Sequence, residues 1–340
     1  MLTKILSYVI LTMDSAKTVQ PTAMGVLKVD WSAKAFNEKG EITKLASLIP
    51  IRALKPADSN EFEYINQIFD EDYWETAKIP RTQVTTTNDR YSNIRPYSHN
   101  VVRLEDKPNS AEVENYINAD YIFHIYDKSI TAPAFIATQG PTPETYNHFW
   151  RMVWQENVKS VVMLCGLAED GFLMCDVYWP EKGEILYDYL KVTITGFKKI
   201  SDFYWIRTFE VYNTQTKETR KVTHYHAVGW PDRKVPANKH TNSFEELLNI
   251  IVHEKDASPQ PVVVHCSAGV GRTGTFISLY FMNWMLRWYK ANGQLDSAGL
   301  SVWGTVRALR EQRMMSVQST EQYEYLYSFM AMVIKKALGK

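Results

Sequence analysis

The chain has 340 residues, 45% of them apolar and 22% charged, and Lys plus Arg equals Asp plus Glu at 38 each. One large domain of this length buries about three quarters of its unfolded surface without staples, and the balanced charge excludes a global nucleic-acid footprint. Three cysteines are too few for a disulfide framework, and Cys165 and Cys175 match no usual zinc spacing; sparse unpaired thiols fit a reducing, cytoplasmic setting.

Residues 1–55 hold eight basic and four acidic groups and lack sustained periodicity. They read as a partly helical N-terminal extension of unassigned function, ending near Pro56-Ala57-Asp58-Ser59. Ile5–Met13 is roughly half the ~20 residues a spanning helix needs, so it reads as an apolar helix on the domain, with a signal peptide as the alternative. No transmembrane segment is expected, and contact of the basic extension with an anionic membrane surface is a further reading.

Residues 56–340 read as one domain. Thr145–Asn157 puts Phe149, Trp150, Val153 and Trp154 on one helical face. Ser160–Cys165 is a short apolar run, as in a strand buried on both sides. Phe203–Tyr212 and Lys221–Val228 alternate with period two and read as neighbouring strands. Phe244–His253 is an amphipathic helix, Pro261–His265 a β-branched strand, and a long apolar helix begins near Arg272. Helices over Val302–Arg310 and Thr320–Lys336 close the chain. The expected fold is α/β (α+β), a central, highly twisted mixed sheet flanked by helices on both sides.

The segment Val264-His265-Cys266-Ser267-Ala268-Gly269-Val270-Gly271-Arg272-Thr273-Gly274 runs from strand through a loop of small residues into helix. Gly269 and Gly271 let successive N–H groups turn inward as an anion nest, and the helix N-terminus adds its own unpaired donors. A nucleotide-binding loop would need Lys after Gly274, where this chain has Thr275. The remaining reading makes Cys266 a nucleophile held as thiolate by the electropositive cradle. Arg272 would then clamp two phosphate oxygens in a fork.

These residues resemble the Cys-x5-Arg signature of the classical, phosphotyrosine-specific protein tyrosine phosphatases, of the non-receptor type, and the resemblance covers about residues 60–335. It implies that Trp230-Pro231-Asp232 is a mobile loop whose Asp232 protonates the leaving tyrosinate. The family usually follows this Asp with an aromatic or His and then Gly; Arg233 and Lys234 stand here, implying a stiffer hinge and a more cationic acid loop. Ser316–Gln322 resembles the glutamine loop, with Gln318 positioning the attacking water and Gln322 assisting. Ser319-x-x-Gln322 is equally a capping box. Thr273 matches a hydroxyl that stabilises the departing thiolate.

Asn88–Asn93 resembles the phosphotyrosine-recognition loop, in which Tyr91 stacks on the substrate ring and excludes phosphoserine. Asn93 stands where an Asp often grips the substrate backbone. Ser267, Ala268, Gly269, Val270 and Gly271 would bind phosphate through their N–H groups. Glu169 would orient Arg272, while His265 orients the loop and Trp230 anchors the acid loop. Met174 replaces a frequent Lys, and Met315 fills a position where Gly leaves an open secondary groove.

His224 and His226 read as packing and hydrogen-bonding residues, and neither a metal nor a cofactor is expected. Expected partners are phosphotyrosine-containing proteins. A catalytically silent phosphotyrosine-binding module and a phosphatase for RNA 5′-phosphates or phosphoinositides are the alternatives.

Overall fold

The computed structural model describes residues 49–50, 54, 60–68, 87–105, 115–127 and 129–339. The apolar helix expected over Ile5–Met13, and nearly all of the extension, lie outside these residues. Strands are β1 (Ile49–Pro50), β2 (Val101–Arg103), β3 (Tyr116–Phe123), β4 (Pro133–Thr138), β5 (Ser160–Met163), β6 (Ala168–Glu169), β7 (Phe172–Leu173), β8 (Glu184–Tyr187), β9 (Leu190–Lys199), β10 (Tyr204–Asn213), β11 (Thr219–Ala227), β12 (Val262–His265) and β13 (Gly299–Leu300). Helices are α1 (Glu61–Ile68), α2 (Tyr146–Gln155), α3 (Thr241–Ala257), α4 (Gly271–Ala291), α5 (Val302–Arg310) and α6 (Thr320–Ala337).

Nine strands form one mixed sheet in the order β2-β3-β4-β12-β5-β11-β10-β9-β8. Its middle, β4-β12-β5-β11, is parallel, and both flanks are antiparallel. Val262, Val263 and Val264 of β12 are buried between two parallel neighbours, which is why this strand reads as an unbroken apolar run. The crossover β4–α2–β5 travels along the sheet in one direction, and β11–α3–β12 travels back. Right-handed crossovers in opposite directions put their helices on opposite faces. The mixed sheet between two helical layers is the expected fold.

All four parallel strands point their C-terminal ends the same way. Gln139–Pro141 follows β4, the β6–β7 hairpin follows β5, Trp230–Lys234 follows β11, and Cys266 follows β12. In open parallel sheets such ends line the ligand crevice, so four separate chain segments meet there.

The helices over 146–155, 241–257, 271–291, 302–310 and 320–337 fall where the apolar periodicity put them. Pattern reading did not find the β6–β7 hairpin, whose strands have two residues each, or α1. At the N-terminal side, Ile49–Pro50 pairs with Gly299–Leu300 and Leu54 packs on the core. The end of the stretch read as an extension therefore lies against the domain. In α1, the carboxylate of Glu61 accepts the hydroxyls of Tyr323 and Tyr327 at 2.7 and 2.6 Å, tying that helix to α6.

Candidate active site

The loop after β12 is built by pulling its carbonyls outward. Cys266 O accepts from His265 Nδ1 (3.0 Å), Ser267 O from Gly140 N (2.8 Å), and Val270 O from Gly274 N and Val317 N (2.9 and 3.2 Å). Arg313 takes the two between them, its Nη2 on Ala268 O (3.1 Å) and its Nε on Gly269 O (3.2 Å). In a trans peptide the next N–H opposes the carbonyl. Five outward carbonyls therefore leave the N–H groups of Ser267 through Gly271 turned inward, above the N-terminus of α4. Arg313 is fully buried and its Nη1 pairs with Asp120 at 2.9 Å.

Gly269 has φ 72°, and a Cβ there would fall 2.0 Å from the Thr138 carbonyl oxygen, so only glycine closes the loop on the end of β4. Cys266 is 3% exposed at the floor of this ring. The Thr273 hydroxyl, on the first turn of α4, is buried without a hydrogen-bond partner among the described residues.

Arg272 is held from two sides. Its Nη1 donates to both carboxylate oxygens of Glu169 (2.7 and 3.0 Å) and to Trp230 O (2.8 Å), and its Nη2 to Asp232 (3.1 Å). Its buried Nε has no hydrogen-bond partner among the described residues, while the Nη2 beside it is held by Asp232. Burial opposes the guanidinium charge, but Cys266, Cys165 and Glu169 more than offset it and hold the Arg272 pKa above its ordinary value.

The acid loop lies against the cradle. Trp230 is buried, packs edge-on against Phe244, and donates Nε1 to Lys234 O at 2.7 Å. Arg233 takes the left-handed conformation, φ 54°, and its carbonyl accepts the Ser319 hydroxyl at 2.7 Å. The left-handed turn thus falls on Arg233, while Lys234, standing where the family has Gly, has no positive φ; no glycine is required there. The Arg233 side chain is 72% exposed and 3.9 Å from Asp232, too solvated to hold it strongly.

Gln322 forms the capping box of α6 with Ser319. Its amide oxygen also accepts from Gln318 N (3.0 Å), and its amide nitrogen reaches Lys234 O (3.5 Å). Cap and loop-holder are therefore one role: the side chain joins the glutamine loop to the acid loop. Gln318 packs on Gly271, where an added Cβ would meet its Cβ at 3.2 Å. Val317 and Met315 both have positive φ, 63° and 55°, and the Gly common at Met315's position in the family would meet that conformation without strain. Arg310 holds the Ser316 and Val317 carbonyls at 3.0 and 2.8 Å.

One wall is Tyr91, whose hydroxyl lies 2.9 Å from Ser267 Oγ and whose ring is part-exposed. Neighbouring Arg90 anchors that loop to Gly140 O, Pro141 O and Asp176, while Asn93 is exposed on the rim. Ser267 Oγ also donates to Met174 O at 2.7 Å.

Behind the cradle runs a chain of neutral imidazoles. His265 Nδ1 must donate to Cys266 O, so its Nε2 accepts from Tyr178 OH (2.7 Å), which in turn accepts from His224 Nε2 (2.8 Å). Burial lowers the pKa of His265 to about 3 and of His226 to about 4, and that of His224 well below its ordinary value. His226 bonds Cys165 O and Arg207. No cluster of three His, Cys, Asp or Glu among the described residues is arranged to hold a metal.

The profile of the protein-tyrosine phosphatase family matches residues 85–332. The chain belongs to that family. It is 36% identical over 247 residues to a putative receptor-type tyrosine-protein phosphatase, mosPTP-1, of Culex quinquefasciatus, covering 70% of this chain and 16% of that protein. Tyrosine-protein phosphatase 99A of Drosophila melanogaster gives 36% over 248 residues, 70% of this chain and 18% of that one. The chain thus spans less than a fifth of the length of these curated relatives. Among solved structures, the catalytic domain of human protein tyrosine phosphatase non-receptor type 18 superimposes with a TM-score of 0.69 at 28% identity, over 81% of this chain and 95% of that one. PTPN18 in complex with HER2 phospho-peptides gives 0.67 at 29%, over 81% and 91%.

Within this phosphatase-family domain, Cys266, Arg272, Asp232, Thr273, Gln318, Gln322, Glu169, Trp230 and Tyr91 converge on one crevice. Arg313, Asp120 and Arg310 escaped the reading of the sequence. Their signal was present: an acid inside the apolar strand Ala119-Asp120-Tyr121, and cations at every third residue from Arg307 to Arg313, both of which demand buried partners. Among the described residues, no helix is long and apolar enough to cross a membrane.

Proposed function

We propose that the chain hydrolyses phosphotyrosine in proteins through a phosphocysteine intermediate. The observation that carries this is the ring of five inward N–H groups, closed by the Arg272 guanidinium, around Cys266. Such a ring stabilises the thiolate and a trigonal phosphoryl group together. The Cys266 sulfur attacks phosphorus, the P–O bond to tyrosine breaks, and Asp232 gives its proton to the leaving oxygen. Water, aimed by Gln318, then attacks phosphorus and gives a proton to Asp232. The P–S bond breaks, and the buried Thr273 hydroxyl stabilises the returning thiolate.

Tyr91 supports the tyrosine preference, because its ring spans from the cradle to the surface and only an aryl-length stem reaches Cys266. The phosphopeptide complexes of PTPN18 accord with that substrate class. A cytoplasmic setting accords with three free, buried thiols.

The test is kcat and KM from pH 5 to 8 on matched phosphotyrosine and phosphoserine peptides, without metal and with reductant. We expect a bell-shaped profile for the phosphotyrosine peptide and no turnover of phosphoserine. Cys266→Ser abolishes the rate, and Asp232→Ala lowers kcat by about 10²–10⁴ with loss of the basic limb. Tight peptide binding with no turnover by the parent chain would instead identify a silent binding module.

A further inference from the structure

The β6–β7 hairpin turns through Asp170-Gly171, with φ of 49° and 83°, and pairs Glu169 with Phe172 and Ala168 with Leu173. Directly paired residues of an antiparallel ladder project from the same face. Glu169 projects toward Arg272, which it holds at 2.7 Å, so Phe172 projects on the cradle side too. Leu173 projects from the opposite face. Phe172 is 70% exposed and Leu173 58%, so neither serves the core.

The hairpin is also fixed relative to the cradle. Met174 N and Cys175 N both bond to Leu167 O, at 2.8 and 3.2 Å. Met174 O accepts the hydroxyl of Ser267, the residue after Cys266. A mostly uncovered aromatic ring is therefore held beside the mouth of the crevice, on the hairpin that orients Arg272. Tyr91, bonded to the same Ser267 hydroxyl, is the pocket's aromatic wall. A peptide whose phosphotyrosine enters that pocket carries its neighbouring residues out across this rim, where an apolar side chain could cover the ring.

We propose that Phe172 is a specificity-determining residue that receives a large apolar side chain close to the phosphotyrosine of a peptide substrate. The inference rests on the reading of the crevice as a phosphotyrosine site. Shared burial of a Phe ring and a Leu side chain corresponds to an affinity gain of about ten-fold.

The test walks Leu in place of Ser through the three positions on either side of phosphotyrosine in an otherwise Gly/Ser peptide. Dissociation constants are measured by calorimetry on the Cys266→Ser chain, and kcat/KM on the parent chain, with p-nitrophenyl phosphate as a substrate that has no flanks. We expect at least one position where Leu tightens binding about ten-fold. Phe172→Ser erases that gain and lowers the ratio of peptide to p-nitrophenyl phosphate kcat/KM to match, and Leu173→Ser on the opposite face retains it.

The proposal is overturned if no position gains from Leu, or if Leu173→Ser erases the gain equally. It is also overturned if Phe172→Ser lowers p-nitrophenyl phosphate turnover as much as peptide turnover, since the hairpin would then act only through Glu169 on Arg272. Failure of the parent to hydrolyse either substrate would refute the phosphatase reading, while the binding series would still decide whether Phe172 contacts the peptide.

Discussion

Gly269 and Arg313 form the cradle from opposite directions, one by lacking a side chain and the other by supplying a long buried one. Gly269→Ala would put a methyl group 2.0 Å from the Thr138 carbonyl oxygen at a φ that L-residues avoid. We expect a loss of about 2–4 kcal/mol in urea unfolding and no measurable phosphatase activity. Arg313→Leu keeps the apolar bulk but abandons Asp120 and two loop carbonyls. An uncompensated buried charge costs about 3–5 kcal/mol, so the unfolding free energy extrapolated from urea titration should fall by that amount. The double variant Arg313→Leu, Asp120→Asn should recover part of the stability but not the activity, because Ala268 O and Gly269 O still lack their donor.

At the level of elements, the cap of α6 is where the acid loop meets the glutamine loop. Ser319 accepts from Gln322 N and donates to Arg233 O, so one hydroxyl closes a helix end and latches the loop bearing Asp232. Ser319→Ala should lower stability by about 1 kcal/mol, the ordinary worth of an N-cap. Because the latch is lost as well, kcat should fall alongside, and Ser319→Thr should restore both; urea unfolding and single-turnover kinetics would check them. The strained Val317 belongs to the same junction. A β-branched residue at φ 63° costs of order 1–3 kcal/mol, and Arg310 on the Ser316 and Val317 carbonyls holds that strain beside Gln318.

Across the whole molecule, the buried imidazoles couple stability to pH. His226 and His265 have pKa values near 4 and 3 in the folded chain, against about 6.5 when unfolded. Below that ordinary value the unfolded chain binds protons that the native one refuses, so stability is full above about pH 6.5 and falls as pH drops toward 4 and 3. From pH 6.5 to 5 each imidazole contributes up to about 2 kcal/mol of loss. Urea midpoints should therefore decline across that interval, and His226→Gln, which can keep one donor and one acceptor, should make the decline shallower. The acid limb of any activity profile must be separated from this loss by measuring both on one sample.

The reading from residues alone reached the strand–loop–helix around Cys266, the long helices and the central strands, because each is a local pattern. Glycines permit a nest, apolar residues repeat at helical spacing, and β-branched runs sit between polar turns. Roles for Asp232, Gln318, Tyr91 and Glu169 came only through resemblance to the phosphatase family, since these residues are scattered across more than two hundred positions. Tertiary structure brought them to the ends of four parallel strands. It also decided what no local pattern contains: that Arg313 draws the loop carbonyls outward, that Arg233 rather than Lys234 takes the left-handed turn, and that Gln322 joins two loops. Those outcomes depend on where a buried donor finds its acceptor. That is a property of packing between distant segments, so short-range spacing does not encode it.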